Sequence, residues 1–306
     1  MSNYVIDINK LSKIYRGKKG RKVEALIDLD MQVAPGEIYG FLGPNGAGKS
    51  TTIKTLVGLI SPTSGEASLM GLPVADARSR QQVGYLPENP AFYDFLSARD
   101  YLAFVGKSFA MDAAVTARET DRVLAMVLLS EAADRPIRGY SKGMVQRLGL
   151  AQTLLHNPDL YILDEPMSGL DPLGRALVKD IILDLKKAGK TVFFSTHITS
   201  DVERTCDRMA IIVDGRLRTV DNVEAVLQEG VEGYRVIARN LPDDFDLSIA
   251  ETAIDGDRFE FQIEKARVNQ LMERLGASDA TIELVEPQRR DLEQYFLNIV
   301  DEATAR

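Results

Sequence analysis

Residues Gly43 to Thr51 read GPNGAGKST, and no other stretch constrains the fold of this chain as tightly. An apolar run precedes it, with Ile38, Tyr39, Phe41 and Leu42, and reads as a buried strand. Thr52-Ile53-Lys54-Thr55-Leu56-Val57 follows and reads as the first turns of a helix. Strand, glycine loop and helix in that order, with glycines at 43, 46 and 48 and Lys49-Ser50 closing, make the P-loop pattern. The glycines let backbone N–H groups curl around a phosphate, and the helix N-terminus adds partial positive charge. The pattern gives Gly43-Pro44-Asn45-Gly46-Ala47-Gly48-Lys49-Ser50-Thr51 to a nucleotide. Lys49 reaches the β- and γ-phosphates and the Ser50 hydroxyl holds Mg²⁺.

The chain has 306 residues, enough for one large domain and a smaller one. No apolar run approaches the roughly 18 residues needed to span a bilayer, and there is no N-terminal signal pattern. A soluble, cytoplasmic chain is expected. A single cysteine, Cys206, excludes an internal disulfide framework and fits a reducing compartment. It lies in an amphipathic stretch and reads as a buried structural thiol. The net charge of −8 is unevenly placed: residues 1–230 carry 28 acidic and 28 basic side chains, and 231–306 carry 17 against 9. A tail of that sign repels a polyanion, so no nucleic-acid partner is expected. It also reads as a separate module, 231–306.

Short alternating runs within residues 4–33, broken by a basic loop from Arg16 to Lys22, predict an antiparallel flap. Lys18, Lys19, Arg21 and Lys22 read as a solvated hairpin tip. Tyr15 is either an aromatic that stacks on a base or one that packs at the edge. Val83-Gly84-Tyr85-Leu86 reads as a strand stopped by Pro87 with Glu88 at its end, and an aromatic loop follows, with Phe92, Tyr93 and Phe95. Helical patterns at Ala98–Phe109 and Thr116–Leu129 make 97–135 a helical insertion within a helical region of about 90–155. Ser141 is a good N-cap for a helix running from Lys142 to His156, and Gly143 leaves that helix start open to close approach. Two further apolar strands, Leu160–Leu163 and Thr191–Thr196, end at Asp164-Glu165 and at His197. Alternation of apolar strands with helices predicts a largely parallel sheet with ligands at the carboxyl ends of its strands.

Strand ends therefore gather Glu88, Asp164, Glu165 and His197 on the edge that carries the P-loop. Asp164 is placed to hold Mg²⁺, and Glu165, one residue on, to face the terminal phosphate and polarise an attacking water. The helix opening at Ser141 is a second anion site. With one P-loop per chain, that site serves either the same nucleotide or one in another subunit.

These residues, in this order, resemble the nucleotide-binding domain of ABC-type ATPases over about 4–222. Gly43–Thr51 resembles the Walker A motif and Leu160–Glu165 the Walker B. Tyr140-Ser141-Lys142-Gly143-Met144, with Gln146-Arg147 after it, resembles the signature, and Ser168-Gly169-Leu170-Asp171 the D-loop. Glu88 occupies the Q-loop position, His197 that of the switch histidine and Tyr15 that of the adenine-stacking aromatic. The resemblance implies an α/β P-loop NTPase with an antiparallel β subdomain and a helical subdomain, to which 231–306 adds a small α+β appendage. It implies ATP and Mg²⁺ as ligands, with Ser50, Glu88 and Asp164 near the metal, Glu165 as the catalytic base and His197 orienting the γ-phosphate.

It also implies a homodimer, or a pair with another ABC ATPase, closing on ATP so that Ser141 and Gly143 contact the nucleotide of the other subunit. Two departures stand out: Glu88 replaces a usual glutamine, and Lys142 and Met144 replace a glycine and a glutamine of the signature. The variants YLPE and YSKGM are similar to those of the subgroup serving ABC-2-type permeases. Such a subunit would sit on the cytoplasmic face of the membrane through a separate integral-membrane permease. The rings of Phe92, Tyr93 and Phe95 either meet that permease or fill the core of the helical insertion. The rival function is a soluble ABC-type ATPase acting on ribosomes or DNA, but the chain has neither a second cassette nor a long coiled coil.

Overall fold

The computed structural model describes residues 4–16, 21–229, 231–242, 245–289 and 292–304. Lys18 and Lys19, named above for the hairpin tip, lie outside them. Two compact units part between Asn222 and Val223.

The first unit begins with two long strands, β1 (Ile6–Arg16) and β2 (Lys22–Val33), paired antiparallel. β3 (Ile38–Leu42) is buried at every position and runs into the glycine loop and α1 (Lys49–Leu56). β4 (Ser64–Leu69) and β5 (Leu72–Pro73) complete a sheet ordered β2-β1-β4-β5, the antiparallel flap expected from the sequence. After β6 (Val83–Leu86) come α2 (Ala98–Ser108), α3 (Ala113–Met126) and α4 (Lys142–Leu154). Local chemistry sets the starts of these helices. Ser97 and Asp100 form a capping box on α2, Asp112 caps α3, and Ser141 accepts the Met144 N–H on α4. Alternating strands and helices follow: β7 (Leu160–Asp164), α5 (Pro172–Lys187), β8 (Thr191–Thr196), α6 (Thr199–Thr205), β9 (Arg208–Val213) and β10 (Arg216–Asn222).

Six of these strands form one sheet, ordered β10-β9-β3-β8-β7-β6, in which only the β10–β9 pair is antiparallel. Because side chains alternate along a strand, β7 sends Leu160 and Ile162 to one face and Tyr161 and Leu163 to the other, and both faces are buried. One core joins this sheet to α1 and the antiparallel sheet. The other joins it to α2–α5. The parallel strands therefore point their carboxyl ends, at Leu42, Leu86, Asp164 and Thr196, to one edge.

The second unit opens with α7 (Val223–Glu229). Its antiparallel sheet is ordered β12-β13-β11-β14, from β11 (Val231–Arg239), β12 (Glu251–Asp255), β13 (Arg258–Glu264) and β14 (Thr281–Arg289). Leu271 and Leu275 of α8 (Val268–Gly276) pack on Val236, Phe261 and Ile263, and α9 (Leu292–Thr304) is the last described element. The short edge strand β12 has no strong alternation in sequence and goes unpredicted. Among the described residues no helix is long and apolar enough to cross a membrane.

Candidate active site

The loop after β3 closes on itself. Gly48 has φ +112, and a β-carbon there would stand 2.7 Å from the Ala25 carbonyl. Gly43 lies so close to β9 that a β-carbon would meet the Ile212 carbonyl at 2.5 Å. Only glycine satisfies the first position's backbone and the second position's crowding. Inside the loop, Lys49 Nζ donates to the carbonyls of Gly43 (2.7 Å) and Pro44 (3.2 Å) and lies 3.4 Å from Glu165 Oε1. Three acceptors match the three donors of an ammonium group buried to 6% exposure.

At the end of β7, Asp164 Oδ1 accepts from Ser195 Oγ (2.7 Å) and from Ser50 Oγ (3.3 Å). Ser195 sits beside Asp164 in the β7–β8 register and also accepts the Glu165 N–H at 3.0 Å. Glu165 itself is left-handed, φ +48, and is followed by Pro166, which favours an extended residue before it. A non-glycine side chain in that conformation costs about 1–2 kcal/mol. In return its carboxylate turns toward the loop: His197 Nδ1 stands 3.1 and 3.0 Å from its two oxygens, and Lys49 lies on the other side.

A cleft of about 530 Å³ opens here, lined by Asn45, Gly46, Gly48, Lys49, Ser50 and Thr51 of the loop and by Ala25, Glu88, Glu165, Ser168 and His197. Glu88 thus joins the P-loop edge, as the end of β6 predicted. Gly43, Pro44 and Ala47 build the loop without lining the cleft. Tyr15, 39% exposed with Lys13 Nζ 5.3 Å from its ring centroid, stands outside the lining. Ser141 and Gly143 are not in it either; they open α4 elsewhere on the same unit. Two contributors were not assigned a role from the sequence. Ser195 is a polar residue in a strand buried throughout, a signal that invites a partner. Gln146, 4% exposed, faces the carbonyls of Glu165 and Pro166 at 3.5 and 3.3 Å.

Among the described residues no cluster of three or more His, Cys, Asp or Glu side chains forms a self-sufficient metal site. The pair Ser50 and Asp164 instead offers adjacent hard oxygens, the partial ligand set Mg²⁺ takes when phosphate oxygens and water supply the rest.

The ABC transporter family pattern matches residues 26–168. An uncharacterized ABC transporter ATP-binding protein of Synechocystis sp. is 46% identical over 242 residues, covering 77% of this chain and 67% of the relative. YcbN of Bacillus subtilis, an uncharacterized ABC transporter ATP-binding protein, is 33% identical over 97% of both chains. This chain belongs to the ABC transporter ATP-binding family. A solved ATP-binding cassette, dimeric in a post-hydrolysis state with ADP and Pi, shares the fold with a TM-score of 0.66 at 22% identity. That match covers 71% of this chain and 98% of the cassette.

By that membership the chain is an ABC-type ATPase. The departures from the usual motifs have local consequences. Lys142 lays its side chain over the D-loop turn, where a β-carbon on Gly169 would meet Lys142 Cε at 2.6 Å. Met144, half-buried, packs against the helical core.

Proposed function

We propose that this ABC ATPase subunit dimerises on ATP and drives substrate movement through a separate ABC-2-type permease. In its site Lys49 and the loop amides hold the phosphates, and Glu165 is the base that polarises water. His197 fixes the Glu165 carboxylate and the γ-phosphate. Ser50 and Asp164, with Glu88 near them, would hold Mg²⁺, which neutralises phosphate charge when bound. A phosphate entering the loop exchanges with the carbonyl and carboxylate contacts of Lys49, so the lysine is never left buried without a partner. Tyr15, exposed on the antiparallel sheet, stacks on the base.

The observation that carries the dimer is Gly143. It has an ordinary helical backbone, and a β-carbon there would make only a 3.5 Å contact with Leu170. Glycine in a helix costs about 0.5–1 kcal/mol relative to alanine. Nothing among the described residues requires it, which fits a surface that another copy's nucleotide approaches. The dimeric cassette with the same fold supports this arrangement.

The aromatic loop supports the permease. Phe92 packs edge-on against Tyr101, with centroids 4.8 Å apart, and belongs to the helical core. Tyr93, Phe95 and Phe104 stay 55%, 69% and 51% exposed and lie side by side. A cluster of exposed rings is a docking surface for a protein partner. Affinity capture of the full chain from detergent-solubilised membranes tests the proposal. A multi-span membrane protein should be retained, and Phe95→Asp should release it. Retention of ribosomes or DNA in its place would overturn the permease assignment in favour of a soluble ABC-type ATPase.

A further inference from the structure

Gln146 is a primary amide on the buried face of α4, among Leu148, Leu150 and Ala151. A buried amide is costly unless its donors are bonded. Its Nε2 lies 3.3 Å from the Pro166 carbonyl and 3.5 Å from that of Glu165. These carbonyls belong to a tight turn, closed by the Ser168 N–H on the Glu165 carbonyl at 3.0 Å. On the other side of Glu165, its N–H is held by Ser195 Oγ at 3.0 Å. The strained left-handed residue is therefore fixed by β8 through its nitrogen and by α4 through the carbonyls that follow.

We propose that Gln146 is a positioning residue for Glu165, holding the turn after β7 in the conformation that aims the carboxylate at His197 and Lys49. The proposal rests on Glu165 being the base. Without the Gln146 donors the turn relaxes toward the conformations a residue before proline prefers, and the carboxylate leaves the cleft. Gln146 is buried and is not part of the cleft's lining, so it acts only through this backbone. The same helix opens with Ser141 and Gly143, so Gln146 also links the surface offered to a second copy with the base of the chain's own site.

The test compares full-length wild type, Gln146→Met, Glu165→Gln and the double variant in steady-state ATP hydrolysis, with nucleotide affinity and thermal melting measured on each. Methionine keeps the length of glutamine and removes its donors. Gln146→Met should lower kcat about tenfold while nucleotide affinity changes by less than about twofold. In the Glu165→Gln background the same substitution should cause no further loss, because the group it positions is already gone. Full activity of Gln146→Met, or multiplicative losses in the double variant, would overturn the proposal. An active Glu165→Gln would instead remove the base assignment on which it rests. Should Gln146→Met melt below the assay temperature, Gln146→Leu carries the same comparison.

Discussion

His197 Nδ1 stands 3.0 Å from Oε2 and 3.1 Å from Oε1 of Glu165, so a single ring nitrogen faces both carboxylate oxygens. Lys49 Nζ approaches Oε1 at 3.4 Å from the P-loop side. The carboxylate is thus held in the cleft by one group from β8's end and one from α1, both independent of its own strand. Glu165→Gln keeps the shape and the contact to His197 but removes the proposed base. Hydrolysis should fall by about 10²–10⁴, the usual worth of a positioned general base, with ATP affinity retained. Dimers should accumulate with ATP on size-exclusion chromatography. Unchanged hydrolysis would take Glu165 out of the base role.

Lys49 makes every one of its polar contacts to the loop or to Glu165. Lys49→Ala removes the cation that balances the phosphates and leaves the Gly43 and Pro44 carbonyls facing the nucleotide. Affinity for a fluorescent ATP analogue should drop by at least about tenfold, the equivalent of roughly 1.4 kcal/mol. Normal binding and turnover together would refute the P-loop assignment.

The P-loop edge was legible because each of its parts is local: a glycine spacing, an apolar strand, an acid or histidine at the strand's end. Register does the rest, since parallel strands place Asp164 beside Ser195 without further information. Contacts that depend on a side chain crossing between layers were not legible. Gln146 reads as one letter of the signature, and nothing near it in sequence says that its amide reaches the turn after β7. The left-handed backbone of Glu165 was hidden for the same reason: Pro166 argues against it, and only the surrounding hydrogen bonds hold it. The aromatic loop split, Phe92 going to the core and Tyr93 and Phe95 to the surface, because one ring found Tyr101 and the others did not.

His156, just past the end of α4, stacks on Phe109 with ring centroids 3.8 Å apart. Its Nε2 lies 3.3 Å from the Val83 carbonyl, which can only accept, so the neutral ring carries its proton there. Nδ1 is buried without a partner, and a second proton would have no acceptor. Burial pushes the pKa below its ordinary value of 6.5, with the Val83 contact opposing weakly. As pH falls below 6.5, the unfolded chain takes up a proton that the folded chain refuses, so stability is lost with acidification. Tm should fall between about pH 7 and pH 5.5 more steeply in the wild type than in His156→Phe, which keeps the stack and cannot titrate. Parallel pH profiles for the two proteins would remove His156 from this role.

Gly143→Ala separates what the chain needs for itself from what it needs for a partner. Within one chain the added methyl meets only Leu170 Cδ2, at an ordinary 3.5 Å, and the helix gains a better former. Stability toward urea should therefore stay level or rise by about 0.5 kcal/mol. Nucleotide binding by dilute monomer should also be unchanged, because Gly143 is not part of the cleft's lining. Hydrolysis should nevertheless fall, by about an order of magnitude, if the α4 start packs against the phosphates of a second copy where a methyl group blocks close approach. The loss should be recovered in part by raising protein concentration, since mass action favours a weakened dimer. A variant that hydrolyses ATP at the wild-type rate and concentration dependence would show that α4 does not close a second copy's site.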